Sequence, residues 1–166
     1  MTAFAFVNHW PQGTPKDGHA VLEFWRSEKA IGDEAQAQER LRQVILHAIA
    51  PSGDVAAVCT AVPITLPRLG QPMYYYRSFV GKAWRGSLLA LQMLRRAQDT
   101  LQAHARANDY PCIGILLELE NAMFDKKMRV PVWPSTGFVY IGKSQRNLDL
   151  RVWYFPDAPL KDTPAK

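Results

Sequence analysis

Tyr74-Tyr75-Tyr76-Arg77-Ser78-Phe79-Val80-Gly81-Lys82-Ala83-Trp84-Arg85-Gly86-Ser87-Leu88-Leu89-Ala90 is the stretch whose reading decides the fold. Tyr74 to Val80 is rich in aromatic and β-favouring residues and lacks Gly and Pro, which predicts a strand. Beyond Gly81-Lys82 the period changes. Leu88, Leu91, Leu94, Ala97 and Leu101 recur at helical spacing, with Gln92, Arg95, Arg96, Asp99, Gln102 and Arg106 on the other side. That is an amphipathic helix of about six turns, whose apolar face must cover a sheet.

The turn between them, Lys82 to Ser87, has a chemistry of its own. A helix N-terminus leaves N–H groups unpaired and carries partial positive charge, so it can seat a phosphate. Lys82 and Arg85 add charge, while Gly86 and Ser87 keep the backbone uncrowded. The alternative on these residues alone is a solvated basic turn.

Val80 to Leu94 resembles the acyl-coenzyme A motif of the GNAT superfamily of N-acetyltransferases, a strand ending in Val followed by Arg/Gln-x-x-Gly-x-Gly/Ala. The six positions read Arg85-Gly86-Ser87-Leu88-Leu89-Ala90, with Leu88 in place of the middle glycine. Ile113 to Asn121 resembles the family's next strand, ending in an Asn that opens a short helix, and Gly137-Phe138 resembles the Gly-Phe before its closing hairpin. The resemblance covers the half of the chain from Tyr74 to about Phe155 and rests on the order and spacing of the three features.

The rest of the chain is compatible with it. Ala3 to Val7 reads as a first strand; Asp17 is a candidate cap for a helix over Gly18 to Lys29; and Asp33 caps a second helix through Arg42. Gln43 to Ala50 and Val55 to Ile64, split by Pro51-Ser52-Gly53-Asp54, form an antiparallel hairpin. Pro63 and Pro67 predict that its second strand ends early or lies near an edge. Asn108 is a candidate C-cap for the long helix. Cys112 to Leu119 is a nearly continuous apolar run, as in a strand buried on both faces, and its helical crossover makes it parallel to the strand before. A short helix from Asn121 to Arg129, then strands over Phe138 to Gly142 and Leu150 to Phe155, complete the order.

From the residues alone this is an α/β domain with a mixed sheet. The resemblance implies the GNAT fold: a mixed, mostly antiparallel sheet with two splayed central parallel strands and helices on both faces. A single domain over 1–155 and a frayed tail over 156–166 are expected.

Composition excludes several classes. A 48% hydrophobic content rules out a disordered chain. The formal charge of +5 suits a phosphate-bearing partner, but the basic residues are scattered, and nucleic acid is not the expected partner. Cys59 and Cys112 lack metal or redox spacing and read as small buried residues. No metal site, signal segment or membrane-spanning run is visible, and a cytoplasmic location is expected.

The resemblance implies acetyl-CoA as cofactor and an amine of a small molecule or protein as acceptor. Backbone groups of Phe79 and Val80 would pair with the pantetheine arm, the turn from Lys82 through Arg85, Gly86, Ser87, Leu88 and Leu89 to Ala90 would hold the pyrophosphate, and Asn121 would add a polar contact. The Val80 N–H is the oxyanion candidate. Glu118 and Glu120 are candidates for the general base, with ordinary strand-end charges as the alternative. No Tyr lies between Asn121 and Gly137, where many family members carry a thiol-protonating one; Phe124 and Trp133 stand there, leaving Tyr76 or Tyr140 as candidate acid. Trp25, Tyr75, Arg77 and Trp133 are candidates for the acceptor pocket. His9 and His19 read as surface or capping residues. A homodimer through the closing hairpin, a coenzyme A-binding module without turnover, and a nucleic-acid- or anion-binding protein remain open.

Overall fold

The computed structural model describes residues 3–11, 18–120 and 128–162. Among them are seven strands and three α-helices: β1 (Ala5–Asn8), α1 (Gly18–Ser27), α2 (Glu34–Leu41), β2 (Val44–Ile49), β3 (Val55–Leu66), β4 (Gln71–Val80), α3 (Leu89–Ala107), β5 (Gly114–Leu119), β6 (Val139–Lys143) and β7 (Asp149–Tyr154). The strand order is β1-β2-β3-β4-β5-β7-β6. The β4–β5 ladder is parallel, pairing Tyr74 with Ile115, Tyr75 with Leu116 and Tyr76 with Leu117. The β1–β2, β2–β3, β5–β7 and β6–β7 ladders are antiparallel.

Contacts divide the chain into two compact units: Met1–Ala61 with Arg77–Leu101, and Val62–Tyr76 with Gln102–Lys166. In the first, Val21, Phe24 and Trp25 of α1 and Ala37 and Leu41 of α2 form one core with Val44 and Val58. Val7, His47 and Val58 are neighbours across the β1–β2–β3 ladders and share a face, so the alternating Phe6 and Asn8 point to the other. There α3 supplies the cover: the Arg96 guanidinium lies 4.0 Å over the Phe6 ring, and Asn8 Nδ2 donates to Thr100 Oγ1 at 3.1 Å. Asp33 caps α2 as the sequence predicts, its Oδ1 accepting the Ala35 N–H at 3.0 Å.

The second unit is built on Met73, Ile113, Leu116, Leu150 and Val152. The turn after α3 places Asp109 and Tyr110 at φ 56° and 51°, while the Asn108 amide caps the His104 carbonyl at 2.8 Å. Left-handed backbone thus falls just beyond the residue read as the cap. Burial of the Cys112 thiol pushes its pKa up to about 12.

Three expectations are corrected. Of the two alternatives for β3, an early end fails, since the strand runs on to Leu66; the near-edge alternative describes Pro63, because Ala61 N still donates to Gln43 O and Pro63 comes beyond that pairing, where its missing N–H costs little. The segment from Pro156 to Lys161, expected to fray, is held: the buried Gln71 amide both donates to Lys161 O (2.9 Å) and accepts from Lys161 N (2.7 Å), and Arg106 pairs Asp157 at 2.7 Å. His9 is no surface residue, because its Nε2 meets His47 Nδ1 at 2.8 Å with the rings stacked. The Asp17 cap and the helix from Asn121 fall wholly or mostly outside the described residues.

No described helix is long and apolar enough to cross a membrane. At Gly114 an added Cβ would stand 2.4 Å from the Trp153 carbonyl oxygen and 3.0 Å from the Tyr154 Cα. Backbone cannot yield as a flexible side chain does, so Gly114→Ala is expected to cost about 3 kcal/mol or more, read as a lowered urea midpoint. A wild-type midpoint would contradict the close β5–β7 approach.

Candidate functional site

The first unit holds the turn that the sequence singles out. After Val80 the chain makes a short 3-10 turn over Lys82–Trp84 and then enters α3 at Leu89. Gly81 is buried; its N–H donates to Ala56 O and its carbonyl accepts from Trp84 N, both at 2.8 Å. Arg85 folds back along the strand end: Nε donates to Val80 O at 3.3 Å, and the guanidinium lies 5.4 Å from the Phe79 ring centroid. Ser87 Oγ donates to Trp84 O at 2.6 Å and accepts from Leu89 N at 3.3 Å, closing the turn onto the helix.

Gly86 has φ 82°, a conformation that favours glycine, and nothing lies within 4 Å of where its Cβ would be. Lys82, Arg85, Gly86, Ser87, Leu88 and Ala90 are all exposed, and Leu89 anchors the helix in the core. Leu88, where the family motif has glycine, is 70% exposed, so its side chain is not packed into the turn. Phe79 and Val80, both half-buried, and the mostly exposed turn after them therefore come together as one basic strand-to-helix junction.

The second unit brings together a different set. Tyr75, at the β4–β5 ladder, donates its hydroxyl to Glu118 Oε2 at 2.8 Å. Arg146, from the β6–β7 turn, reaches Glu118 at 3.7 Å and Glu120 at 3.0 Å. Its pKa is raised, first by the hydrogen bond to Glu120 and then by the Glu118 charge. The two candidate carboxylates thus do lie within reach of one cation. Glu120 is exposed, whereas the Glu118 side chain is only 11% exposed. Arg146 carries no periodic or spacing signal in a polar turn, which is why sequence reasoning missed it.

Trp25 and Trp133 prove to be core residues of their respective units, at 3% and 5% exposure, rather than open pocket walls. The Trp133 indole N–H is given to Met128 O at 2.8 Å, and its face lies under the buried Arg151 guanidinium at 4.4 Å. Burial pulls the pKa of Arg151 down. Tyr76 is buried in the sheet, Arg77 is exposed in the first unit, and Asn121 and Phe124 fall outside the described residues. Among the described residues no group of three or more His, Cys, Asp or Glu is arranged to hold a metal ion.

No known protein family and no curated protein matches the sequence. Solved structures match in fold. The acetyltransferase of GNAT family from Streptococcus pneumoniae superposes with a TM-score of 0.62 at 14% identity, over 92% of this chain and 99% of that one. AtaTR bound with acetyl-CoA gives 0.57 at 13% identity, over 92% and 93% of the two chains. AtaT complexed with acetyl-methionyl-tRNAfMet gives 0.52 at 11%, over 92% and 95%. The chain has the fold of the GNAT acetyltransferases.

Since Ser87 Oγ links the turn to α3, Ser87→Ala is expected to cost about 1 kcal/mol, the usual worth of an N-terminal cap, in urea unfolding. A loss below about 0.3 kcal/mol would show that the hydroxyl does not hold the helix start.

Proposed function

We propose that this protein is an acyl-CoA-dependent N-acetyltransferase that transfers an acetyl group from acetyl-CoA to a primary amine of a small molecule or protein. The observation that carries this reading is the junction after β4: an open Gly86 at positive φ, flanked by exposed Lys82 and Arg85, at the N-terminus of α3. Backbone N–H groups and a helix N-terminus suit a pyrophosphate, and two cations add charge-assisted contacts. The exposed Leu88 side chain is compatible with a ligand that uses backbone rather than side chains. The residues present fit coenzyme A.

Acetyl-CoA supplies the acetyl group as an activated thioester. The backbone of Phe79 and Val80 would pair with the pantetheine arm in the manner of an added strand, and the Val80 N–H would polarise the carbonyl. Lys82, Arg85 and the amides from Gly86 to Ala90 would bind the pyrophosphate, with Asn121, outside the described residues, the further candidate the family resemblance supplies. For the proton lost by the acceptor ammonium the candidates are Glu118 and Glu120; Glu118 is the better one, being mostly buried and oriented by the Tyr75 hydroxyl. In the transfer the acceptor nitrogen would bond to the acetyl carbon as the carbon–sulfur bond breaks, and the departing sulfur would take its proton from Tyr140 or water, the Tyr76 hydroxyl being buried in the sheet. Tyr75 and Arg77 are the remaining candidates for acceptor recognition.

A second reading places the acceptor amine on a tRNA. It is favoured by the +5 charge together with the fold shared with AtaT, and it predicts acceptor binding that weakens steeply with salt.

Thermal and calorimetric titration with acetyl-CoA is the first test. Ligand at one hundred times its dissociation constant stabilises by about 2.7 kcal/mol. Arg85→Glu with Ser87→Asp is expected to weaken binding at least about tenfold by placing carboxylates against the phosphates. Glu118→Gln is expected to lower kcat about a hundredfold with little change in acetyl-CoA affinity, and Glu120→Gln to do less. Absence of any shift at millimolar acetyl-CoA would sink the reading; binding without turnover of any amine, tRNA-linked ones included, would leave a coenzyme A-binding module.

A further inference from the structure

We propose that Glu28 is a positioning residue for the phosphate turn, holding its first backbone N–H from the end of α1. The inference deepens the reading above and rests on it for its functional meaning. Glu28 follows the last residue of α1 and is itself fixed by the way that helix ends. Glu28 N donates to Phe24 O at 3.0 Å, Lys29 N to Arg26 O at 3.2 Å and Ala30 N to Trp25 O at 2.9 Å, with Lys29 turned to φ 53°. This is a closed helical C-terminus, which leaves the Glu28 backbone little freedom.

From there the side chain crosses to the strand end. Glu28 Oε2 accepts the Lys82 N–H at 3.1 Å, at the opening of the 3-10 turn. Its Oε1 lies 3.2 Å from the point where a Cβ on Gly81 would stand, as do Phe24 Cε2 and the Ala56 carbonyl oxygen. A Cβ at position 81 would crowd the carboxylate, a ring and a backbone carbonyl at once, so the bare glycine gives Glu28 room to approach. Phe24 also meets Phe79 edge-on at 5.9 Å, which ties the same turn of α1 to the strand just before the junction. The junction is thus set from three directions: the Ala56 carbonyl on Gly81 N, the Trp84 N–H on Gly81 O, and the carboxylate on Lys82 N.

Among the described residues no Lys or Arg pairs with Glu28; its carboxylate is given to a backbone donor. Next to a turn that seats phosphates a negative charge is electrostatically adverse, so its contribution is geometric: it satisfies an N–H that the 3-10 turn leaves without an internal partner. The same contact assigns the Lys82 amide to Glu28 and leaves the anion to the later part of the turn, from Gly86 into α3. Sequence reasoning had no signal for this, since positions 28 and 82 lie in different elements.

The test uses the full chain as Glu28→Ala and Glu28→Gln, with two readouts. The first is amide hydrogen exchange at residues 81–88 without ligand. Glu28→Ala is expected to speed exchange of the Lys82 amide about tenfold, the equivalent of losing one charge-assisted hydrogen bond, and Glu28→Gln, which keeps an acceptor oxygen, to restore protection. The second is acetyl-CoA: Glu28→Ala should raise its dissociation constant and KM about five- to tenfold with kcat unchanged, and Glu28→Gln should bind at least as tightly as wild type because it removes a negative charge. Unchanged Lys82 exchange in a folded Glu28→Ala protein overturns the proposal, as does faster exchange with unaltered acetyl-CoA affinity. If the wild-type protein binds no acetyl-CoA, the acetyltransferase reading falls, while the exchange arm still decides whether Glu28 holds the turn.

Discussion

The parallel pairing of β4 with β5 is the constraint that the rest of the chain answers to. Parallel neighbours cannot be joined by a tight hairpin, so a long crossover is compulsory, and α3 is that crossover. A helix that leaves the C-terminal end of a strand begins with unpaired N–H groups beside that strand's end. The strand-to-helix junction, with its unpaired N–H groups, is therefore a by-product of the topology before any residue is chosen for it. What the sequence adds is Gly86 for the left-handed step, Ser87 to close the first turn, and Lys82 and Arg85 for charge.

On the other side of β5 the constraint is closeness. β5 pairs antiparallel with β7 from Gly114–Tyr154 to Leu119–Asp149, and Gly114 leaves room for the Trp153 carbonyl. β6 then closes on β7 with an irregularity between Tyr140 and Gly142, and Arg68 clamps it by donating to Ile141 O and Lys143 O, each at 2.7 Å. The turn between β6 and β7 is thereby fixed in place, and it is from this turn that Arg146 reaches Glu118 and Glu120. Tyr75 and Arg146 give the Glu118 carboxylate both a hydrogen-bond donor and a counter-charge.

The elements were legible where a local pattern decides them. The 3.6-residue period of α3, the aromatic run of β4, the apolar run of β5 and the Asp33 cap all stand close to their expected bounds, because each depends on residues within a few positions of one another. The misread places share a different cause. Pro63 could be kept inside a strand because the neighbour on one side had already ended. The stretch after Pro156 was held by the Gln71 side-chain amide, 90 positions before its partner Lys161. His9 found His47, and Trp25 and Trp133 went to the core because their bulk was needed there.

By itself the sequence determined the order and type of the described elements, the parallel crossover and the basic Gly-containing junction, since propensity, periodicity and turn chemistry are local properties of a chain. Only the tertiary structure decided which side chains serve that junction and the candidate carboxylates. Glu28 on Lys82, Tyr75 on Glu118 and Arg146 on both carboxylates are contacts between residues 54, 43 and 26 to 28 positions apart. No periodicity links such positions. They meet because burying apolar faces brings separate elements to within a hydrogen bond of one another, and that distance is a property of the packed chain alone.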